Sequence, residues 1–402
     1  MIAKFFLIVY IGKFLSVNEL GEYGLFVTTI TLAVFFLGFD FYTYNTREIL
    51  SRPVDNALPL IRDQLVFHLL VYIVILPILL GVFFFDIISF KYIGYFYLVL
   101  IFEHLGQEFF RLFITLQKPL FANLLLFFRA GFWIYIVVLL WHFGVKGIVN
   151  LNSVWTGWII GAILSVLIGM VYLYLYFDFN TIFVDIDWKW IKRGLFISFP
   201  FFTGTLAYKV IEFSNRYIID YYMTKSDVGV FTFFGSLANV IQTIVYTVVI
   251  MVYYPKLVIL HNKDDVFNFK KTTNIFLLKV VLWSLFSIIG IVIFIHPMLG
   301  YLNKTEFNTY LPVLWLLLGS VFLLNLSFIP HYLLYVQKKD IVIRNITLFS
   351  AGVNIMFNFI LIRYWGLIGA ALSNIISFII MLGLKYFYYE KNRQAASSYL
   401  NQ

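Results

Sequence analysis

The chain is a succession of long apolar runs separated by short polar segments. A helix needs about 20 mostly apolar residues to cross the hydrocarbon core of a bilayer. Because a backbone group inside lipid needs a partner on the chain itself, helices are the expected structure. The pattern predicts an all-α integral membrane protein of about twelve transmembrane helices, near residues 2–17, 23–44, 65–85, 92–113, 120–142, 154–177, 196–222, 228–253, 273–296, 310–336, 341–362 and 367–388.

Composition supports a membrane protein. Hydrophobic residues make up 62% of the 402 residues and charged residues 12%, against about 45–50% and about 25% in soluble domains. The absence of cysteine excludes disulfides, thiolate metal sites and cysteine nucleophiles. We interpret the net charge of +9 as basic loops that anchor the protein at the membrane, and expect no nucleic-acid partner.

The distribution of Lys and Arg orients the predicted helices, because cytoplasmic loops carry an excess of both. If the N-terminus is cytoplasmic, eighteen of these residues near the helix ends lie inside. Six lie outside, namely Lys13, Lys91, Lys146, Lys225, Lys304 and Arg363. We therefore predict that both termini and segment 178–193 are cytoplasmic.

The two halves of the chain resemble each other. Segment 15–23 (LSVNELGEY) aligns with 223–231 (MTKSDVGVF) at an offset of 208. Both have a hydroxyl residue, an acidic residue three positions later, a glycine and an aromatic residue. Ser16 and Thr224 can each cap the helix that follows, whose N-terminus the acidic residue favours.

Three weaker matches keep the same order along the chain. They pair Pro77 and Gly81 with Pro297 and Gly300, Gln117-Lys118 with Gln337-Lys338, and Gly144 and Gly147 with Gly366 and Gly369. Six predicted helices precede the middle loop and six follow it, with equivalent helices starting on the same side. The pattern predicts two parallel, MATE-like six-helix lobes, 1–185 and 186–402, with a substrate cavity between them.

Four ionisable residues follow one face of the seventh predicted helix at spacings of 3, 4 and 4, namely Lys209, Glu212, Arg216 and Asp220. A charge near the bilayer centre is costly unless it faces a partner or a cavity. One interpretation is a neutral ladder that only stiffens the helix. The other is a cationic path for phosphate groups, because Arg binds phosphate oxygens in pairs and Lys acts as a point charge.

Arg129 and Lys279 favour the cationic path, since neither has an acidic residue within one turn of its own helix. The predicted substrate-binding residues are therefore Arg129, Lys209, Arg216 and Lys279. The candidate ion-coupling residues are Glu103, Glu212 and Asp220. An ordinary salt bridge is the competing interpretation of Glu103, and we expect His104 to be a packing residue with satisfied hydrogen bonds.

Motifs of soluble chemistry are missing from the sequence. The chain has no G-x-x-x-x-G-K-[ST] loop for ATP and no cluster of His, Asp and Glu at metal-ligand spacing. We therefore expect no cofactor, no metal and no enzymatic activity.

Several segments resemble polysaccharide flippases of the Wzx type, in the superfamily shared with MATE drug exporters and lipid II flippases. Residues 15–26 (LSVNELGEYGLF) and 39–49 (FDFYTYNTREI) resemble the family's opening, and 215–231 (NRYIIDYYMTKSDVGVF) its second lobe. Residues 334–340 (LYVQKKD) and 365–374 (WGLIGAALSN) resemble its late loops. The similarity covers essentially the whole chain. Relatives commonly carry an acidic residue before the Arg of the seventh helix, where this chain has Asn.

The resemblance implies transport of an oligosaccharide on undecaprenyl pyrophosphate across the bacterial cytoplasmic (inner) membrane. Alternating access through the cationic cavity between the lobes would move the cargo. The product would supply O-antigen of lipopolysaccharide, capsule or exopolysaccharide. The expected partners are the lipid-linked oligosaccharide and membrane lipids, with a polysaccharide polymerase and a chain-length regulator as further candidates.

Two alternatives stay open. A MATE-type ion-coupled exporter of small cationic molecules would line its cavity with acids, whereas cations predominate here. A membrane-embedded polysaccharide polymerase or ligase would carry a long outer loop, and the predicted outer loops are short.

Overall fold

A computed structural model gives the fold and describes residues 2–52, 57–177 and 185–400. Those residues form α-helices and no β-strand. The helices are α1 (Ile2–Phe14), α2 (Val17–Gly38), α3 (Tyr42–Leu50), α4 (Ala57–Ile78), α5 (Gly81–Phe84), α6 (Ile93–Thr115), α7 (Pro119–Phe127), α8 (Trp133–His142), α9 (Leu151–Tyr176), α10 (Trp188–Tyr222), α11 (Lys225–Val245), α12 (Met251–Asn262), α13 (Val266–Leu302), α14 (Thr305–Thr309), α15 (Leu311–Val336) and α16 (Asp340–Leu400).

Nine helical stretches among the described residues are long and apolar enough to cross a membrane. The protein is therefore a multi-pass membrane protein, and the all-α fold class is confirmed. Three of the twelve predicted spans do not stand as separate candidates. Helix α1 has only 13 residues, α6 carries Glu103, Glu108 and Arg111, and the last two predicted spans are joined in α16. The count of twelve stays a prediction.

Helix α16 is two helical segments joined at Gly366, whose combination of φ 53° and ψ −133° is readily adopted only by glycine. Three residues later, a Cβ on Gly369 would lie 2.1 Å from the carbonyl oxygen of Leu361. Since that oxygen belongs to the backbone, it cannot move aside. The turn therefore depends on both glycines.

Capping boxes start the second helix of each half, as the repeat predicts. Ser16 Oγ accepts a hydrogen bond from the Glu19 amide, and the Glu19 carboxylate accepts one from the Ser16 amide. Thr224 and Asp227 make the same pair of bonds at the start of α11. The predicted caps are confirmed, and they explain why α2 begins several residues before the apolar run alone indicates.

The turn after α6 matches the turn after α15 with a shift of one residue from the sequence alignment. Gln117 and Lys338 both have left-handed backbones, with φ of 58° and 57°. The next amides, Lys118 and Lys339, donate to carbonyl oxygens five residues back at 2.8 and 3.1 Å. The offset is therefore 221 here, because backbone geometry and not residue identity sets the correspondence.

The helix that follows each capping box is interrupted differently in the two halves. Phe39 and Asp40, both with φ of 50°, separate α2 from α3. A π-helical turn, Tyr246–Ile250, separates α11 from α12. A π turn keeps the chain helical, whereas consecutive left-handed residues end the helix and redirect it.

The chain divides into two compact units, unit 1 (Met1–Leu206) and unit 2 (Ala207–Gln402), with the division inside α10. The core of unit 1 includes Phe41, Phe113 and Trp190. A cluster in unit 2 packs Ile211, Leu324 and Phe378. The sequence predicts the lobe boundary after residue 185. Residues 178–184, just before it, lie outside the described part of the chain, so this boundary stays a prediction.

Candidate functional site

The first ionic cluster of unit 1 lies on α6. Glu103 Oε1 is 3.7 Å from Nε of Arg129, and Glu103 Oε2 accepts a 2.9 Å hydrogen bond from Trp158. Arg129 belongs to the π-helical turn between α7 and α8 and is buried. The Arg129 side chain packs against Gly106, where the absence of a side chain leaves room for it. A Cβ on Gly106 would lie only 2.9 Å from Arg129 Cδ, which is closer than a normal contact. The salt bridge considered for Glu103 is therefore present, and its partner stands on a neighbouring helix.

The second ionic cluster of unit 1 centres on Glu108. Its two carboxylate oxygens accept 2.6 Å hydrogen bonds from Arg111 and from Gln64 of α4. Gln64 accepts a hydrogen bond from Asn45 of α3. The Arg111 guanidinium lies over the ring of Tyr42, 3.8 Å from Cζ to the ring centroid. The cluster thus joins α3, α4 and α6 through a carboxylate whose charge is paired and whose oxygens are hydrogen-bonded.

Two buried histidines lie in the same unit. His104 Nδ1 is 2.7 Å from the Tyr72 hydroxyl, and the His68 ring meets the His104 ring edge to face at 4.7 Å between centroids. Among the described residues, Nε2 of His104 and both ring nitrogens of His68 make no hydrogen bond of ordinary geometry. The expectation of a fully satisfied His104 is therefore wrong for Nε2.

Unit 2 carries the charged face of α10. Lys209 Nζ donates a 2.7 Å hydrogen bond to Glu212, which forms the first step of the predicted ladder. Arg216 instead donates from Nε to Thr232 of α11 at 3.2 Å and packs against Phe213. Within the part of the chain that the structure describes, no carboxylate lies at ion-pair distance from Arg216. The neutral ladder is therefore formed only at its first step.

A cavity of about 50 Å³ in unit 2 adjoins this face. Glu212 and Arg216 line it together with Asn239, Gln242 and Ser320. Such a volume holds one or a few water molecules. The cavity therefore gives the Arg216 guanidinium a small polar space beside it.

A network of amides lies next to the buried arginine. Asn215 donates to Asn358 Oδ1, to the Ala370 carbonyl and to Asn374 Oδ1 at 3.1–3.2 Å. Asn354 accepts from Asn358 at 2.9 Å and donates to Asn374 at 3.1 Å. This amide network joins α10 to both segments of α16. The residue directly before Arg216 is thus the neutral Asn215, at the position where the resemblance to Wzx-type flippases leads us to expect an acidic residue.

The predicted binding residues do not form one cluster within a unit. Arg129 belongs to unit 1, and Lys209, Arg216 and Lys279 belong to unit 2. Lys279 is exposed on α13 and is absent from the lining of the cavity beside Arg216. Asp220, the last residue of the charged face, is half-buried. The four cations therefore differ in surroundings, from buried and paired to exposed.

A larger cavity of about 800 Å³ in unit 2 opens between α12, α13, α15 and the end of α16. Apolar residues such as Leu277 and Leu333 form its walls, and charged residues including Asp265 lie among its lining. Asp265 caps α13 and accepts hydrogen bonds from the Asn268 side chain and amide, which hold the pKa of this exposed carboxyl below its ordinary value.

Sequence reasoning missed the amide network and His68. Both carried a signal, because polar residues recur at a spacing of four inside apolar runs: Gln64 and His68 on α4, Asn354 and Asn358 on α16. That spacing places side chains on one helix face. Polar residues facing another helix inside a membrane bond across the interface. A search restricted to formal charges could not find them.

Comparisons with known proteins add a family and a fold. A family model described as "Polysaccharide biosynthesis protein" matches residues 1–261. No curated protein sequence matches the chain. A solved structure described as the inward-facing conformation of a multidrug resistance MATE family transporter of the MOP superfamily is similar, with a TM-score of 0.81. It is 13% identical, and the match covers 98% of this chain and 95% of that one. The MATE-like fold and the resemblance to Wzx-type flippases are therefore confirmed.

Proposed function

Because the chain belongs to the polysaccharide biosynthesis protein family, we propose that it carries a lipid-linked oligosaccharide across a membrane. The proposed cargo is an oligosaccharide linked to undecaprenyl pyrophosphate, and the proposed location is the bacterial cytoplasmic membrane. The repeat unit would then enter O-antigen, capsule or exopolysaccharide assembly. The observation that carries this proposal is the family match through residue 261, which includes the buried Arg216 and the polar cavity residues of α10 and α11.

The chemistry of Arg216 suits a pyrophosphate. A guanidinium presents five N–H donors in a planar fork that matches phosphate oxygens. Among the described contacts of Arg216, one donor is used, by the Thr232 hydroxyl. A phosphate oxygen would supply the directly hydrogen-bonded negative charge that this buried cation lacks, since Glu212, which lines the same cavity, is paired with Lys209.

The other proposed binding residues contribute differently. Lys209 and Arg129 are already neutralised by Glu212 and Glu103. Lys279 is exposed at the surface of α13. We propose Arg216 as the first contact of the pyrophosphate, with Lys279, Lys209 and Arg129 as further cations on its route.

Transport would proceed by alternating access and draw its energy from an ion gradient or from consumption of the flipped lipid. One charge moved across 100 mV is worth about 2.3 kcal/mol, enough to shift a two-state equilibrium by more than about tenfold. Glu103, Glu212 and Asp220 are the proposed coupling carboxylates. Protonation of Glu103 would remove the negative charge that holds the Arg129 side chain in place. Proton binding at Glu103 would therefore be coupled to the position of Arg129.

Export of a small molecule is the second candidate, favoured by the likeness to a MATE fold. A site for a cationic drug needs acids without partners. In the described part of unit 2, Glu212 is paired with Lys209, whereas Arg216 has no carboxylate at ion-pair distance. The charge balance beside the cavity therefore favours an anionic cargo.

The test is glycolipid transport by the purified protein in liposomes. A fluorescent oligosaccharide on undecaprenyl pyrophosphate would be followed by its accessibility to an impermeant quencher. We expect transport by the wild type and a loss of about tenfold or more in Arg216→Gln, since a charge-assisted hydrogen bond contributes about 1.5–3 kcal/mol.

The matched control is Arg363→Gln, which removes an exposed arginine of the same unit. Its transport rate should equal that of the wild type. Equal rates in Arg216→Gln and wild type would refute the role of Arg216. Uptake of a cationic dye with no movement of the glycolipid would refute the flippase and select the exporter.

A further inference from the structure

Three ring nitrogens in unit 1, both of His68 and Nε2 of His104, are buried and make no hydrogen bond of ordinary geometry among the described residues, and the nearest backbone partner of the His68 ring is Gly38. The two side chains are 1% and 0% exposed. A buried polar atom without a partner destabilises the fold, so packing alone gives no reason to place histidine here. Polar residues inside a membrane mark pathways for ions and protons.

The hydrogen-bonding capacity of the two rings leaves room for a proton. A neutral imidazole has one N–H donor and one lone pair. The Tyr72 hydroxyl occupies only Nδ1 of His104. In either tautomer, His68 therefore keeps a lone pair that nothing in the described residues occupies.

A glycine provides space beside the second ring. A methyl group built on Gly38 would lie 3.5 Å from His104 Nε2, 3.5 Å from Arg111 Nη1 and 3.6 Å from Glu108 Oε1. Because Gly38 has no side chain, His104 Nε2, Arg111 and Glu108 come close to one another around its Cα.

Titratable groups surround the two rings on every packed element. They are Asp40 at the break after α2, Tyr72 on α4, Glu108 and Arg111 on α6, and Arg129 from the π-helical turn. Glu108 is paired with Arg111, and Arg129 with Glu103. A proton on the histidines would therefore add one positive charge to a surrounding of mostly paired charges.

We propose that His68 and His104 form one proton-binding site in unit 1, close to the Glu108 carboxylate beside Gly38. The two rings hold one proton at a time, because two positive rings with centroids 4.7 Å apart would repel each other. The proton comes from water on one side of the membrane and leaves to water on the other, and no other bond changes. The role of this site in coupling rests on the proposed transport function. The binding of a proton by the two rings does not depend on that function.

Unit 2 provides an internal reference. Its helices in the corresponding order, α13 and α15, place Ser284 and Asn325 together, with a 3.0 Å hydrogen bond from Asn325. Neither side chain titrates near neutral pH. The histidine pair is thus a property of unit 1 and not of the repeated fold.

The first test observes the protons directly. The chain has six histidines, so protein labelled with ¹⁵N-histidine gives few ring signals, which His68→Asn and His104→Asn would assign. From about pH 9 to about pH 5, which brackets an ordinary imidazole, we expect these two rings to take up one proton between them. Gly38→Ala, which places a methyl group in ordinary contact with His104 Nε2, Arg111 and Glu108, should shift the titration of His104.

The control is His296→Asn, which removes an exposed histidine of unit 2 and should leave both signals unchanged. Two sets of results would overturn the proposal. The rings could stay neutral over the whole range, or each could take up a full proton independently of the other.

The second test is transport under an imposed pH gradient. We expect the gradient to accelerate glycolipid movement by the wild type and to have no effect on His104→Asn. An equal response in both proteins would overturn the coupling role. A wild type that moves no glycolipid would refute the proposed function, while the histidine titration would still decide the proton site.

Discussion

Unit 1 and unit 2 stabilise their buried polar side chains with different chemistry. Unit 1 uses carboxylates, guanidiniums and imidazoles, as in the Glu103–Arg129 and Glu108–Arg111 pairs. Unit 2 also has charged side chains, but its network around Asn215 consists of neutral amides, with Asn215, Asn354 and Asn358 at 0% exposure. The ionic pairs lie on α6 and the π-helical turn after α7, and the amides lie on α10 and α16.

The difference separates two requirements of a membrane helix bundle. Hydrogen bonds between amides hold helices together and are indifferent to pH and to voltage. Ionisable pairs also hold helices together, but each can gain or lose a proton and then changes its interactions. The ionic clusters of unit 1 can therefore respond to a proton, whereas the amide network of unit 2 cannot. The Lys209–Glu212 pair and the buried Lys385, 3.3 Å from His331, are among the ionisable contacts of unit 2.

The largest expected effect breaks an ionic pair of unit 1. Arg129→Met keeps the volume beside Gly106 but leaves the Glu103 carboxylate buried without its cation. Breaking a buried pair costs about 3–5 kcal/mol. We expect the lower end, about 3 kcal/mol, because the two groups are 3.7 Å apart. Thermal unfolding in detergent measures this loss.

The double variant Arg129→Met with Glu103→Gln is the control, since it removes both charges. It should recover most of the stability. A double variant as unstable as the single one would show that packing, and not charge, holds this site.

A smaller effect is expected from the amide network of unit 2. Asn358→Ala removes the acceptor for Asn215 and the donor for Asn354. Hydrogen bonds between membrane helices contribute about 0.6–2 kcal/mol, so we expect a loss of about 1–2 kcal/mol. Unfolding measured at acidic and neutral pH should give the same difference from wild type. A loss that changed with pH would contradict the contrast between the units.

The capping boxes should behave alike in both units. Ser16→Ala and Thr224→Ala each remove a side-chain oxygen that accepts from the third residue of the helix. Each should lower stability by about 1 kcal/mol. Chemical unfolding of the two variants side by side measures this loss. Clearly different losses would show that the two capping boxes are similar in sequence but not in their contribution to stability.

The smallest expected effect lies at the exposed start of α13. Hydrogen bonds from Asn268 hold the pKa of Asp265 below its unfolded value of about 3.9. This contribution is present above the unfolded pKa and is lost as pH falls through the lower, folded pKa. Asp265→Ala should therefore weaken helix protection in hydrogen exchange at neutral pH and change little in strong acid. Protection that was unaffected at neutral pH would contradict the cap.

The fold could largely be predicted from the chain, because lipid imposes a simple rule on it. Apolar runs of sufficient length become helices, and the repeat of Ser16–Glu19 in Thr224–Asp227 located two helix starts to the residue. The predictions were less accurate where backbone geometry decides. The left-handed residues Phe39 and Asp40 end α2 inside an apolar run. Aspartate tolerates this conformation, but a bulky residue such as Phe39 gives no sign of it.

The candidate site could be predicted only in part. Formal charges identify Glu103, Arg129 and Arg216, but a single sequence does not show which charges meet. Arg129 has no acid on its own helix, and its partner comes from tertiary packing. The neutral network of Asn354 and Asn358 was missed because polar residues without charge were given no weight.

The turn at Gly366 and Gly369 has a consequence for the gene. Any single-base change that replaces a glycine gives either a residue with a Cβ or a stop. At Gly369 that Cβ would sit 2.1 Å from the backbone oxygen of Leu361. We therefore expect glycine at position 369 in relatives that share this backbone turn, whatever cargo they carry. The residue at this position reports the fold and not the substrate.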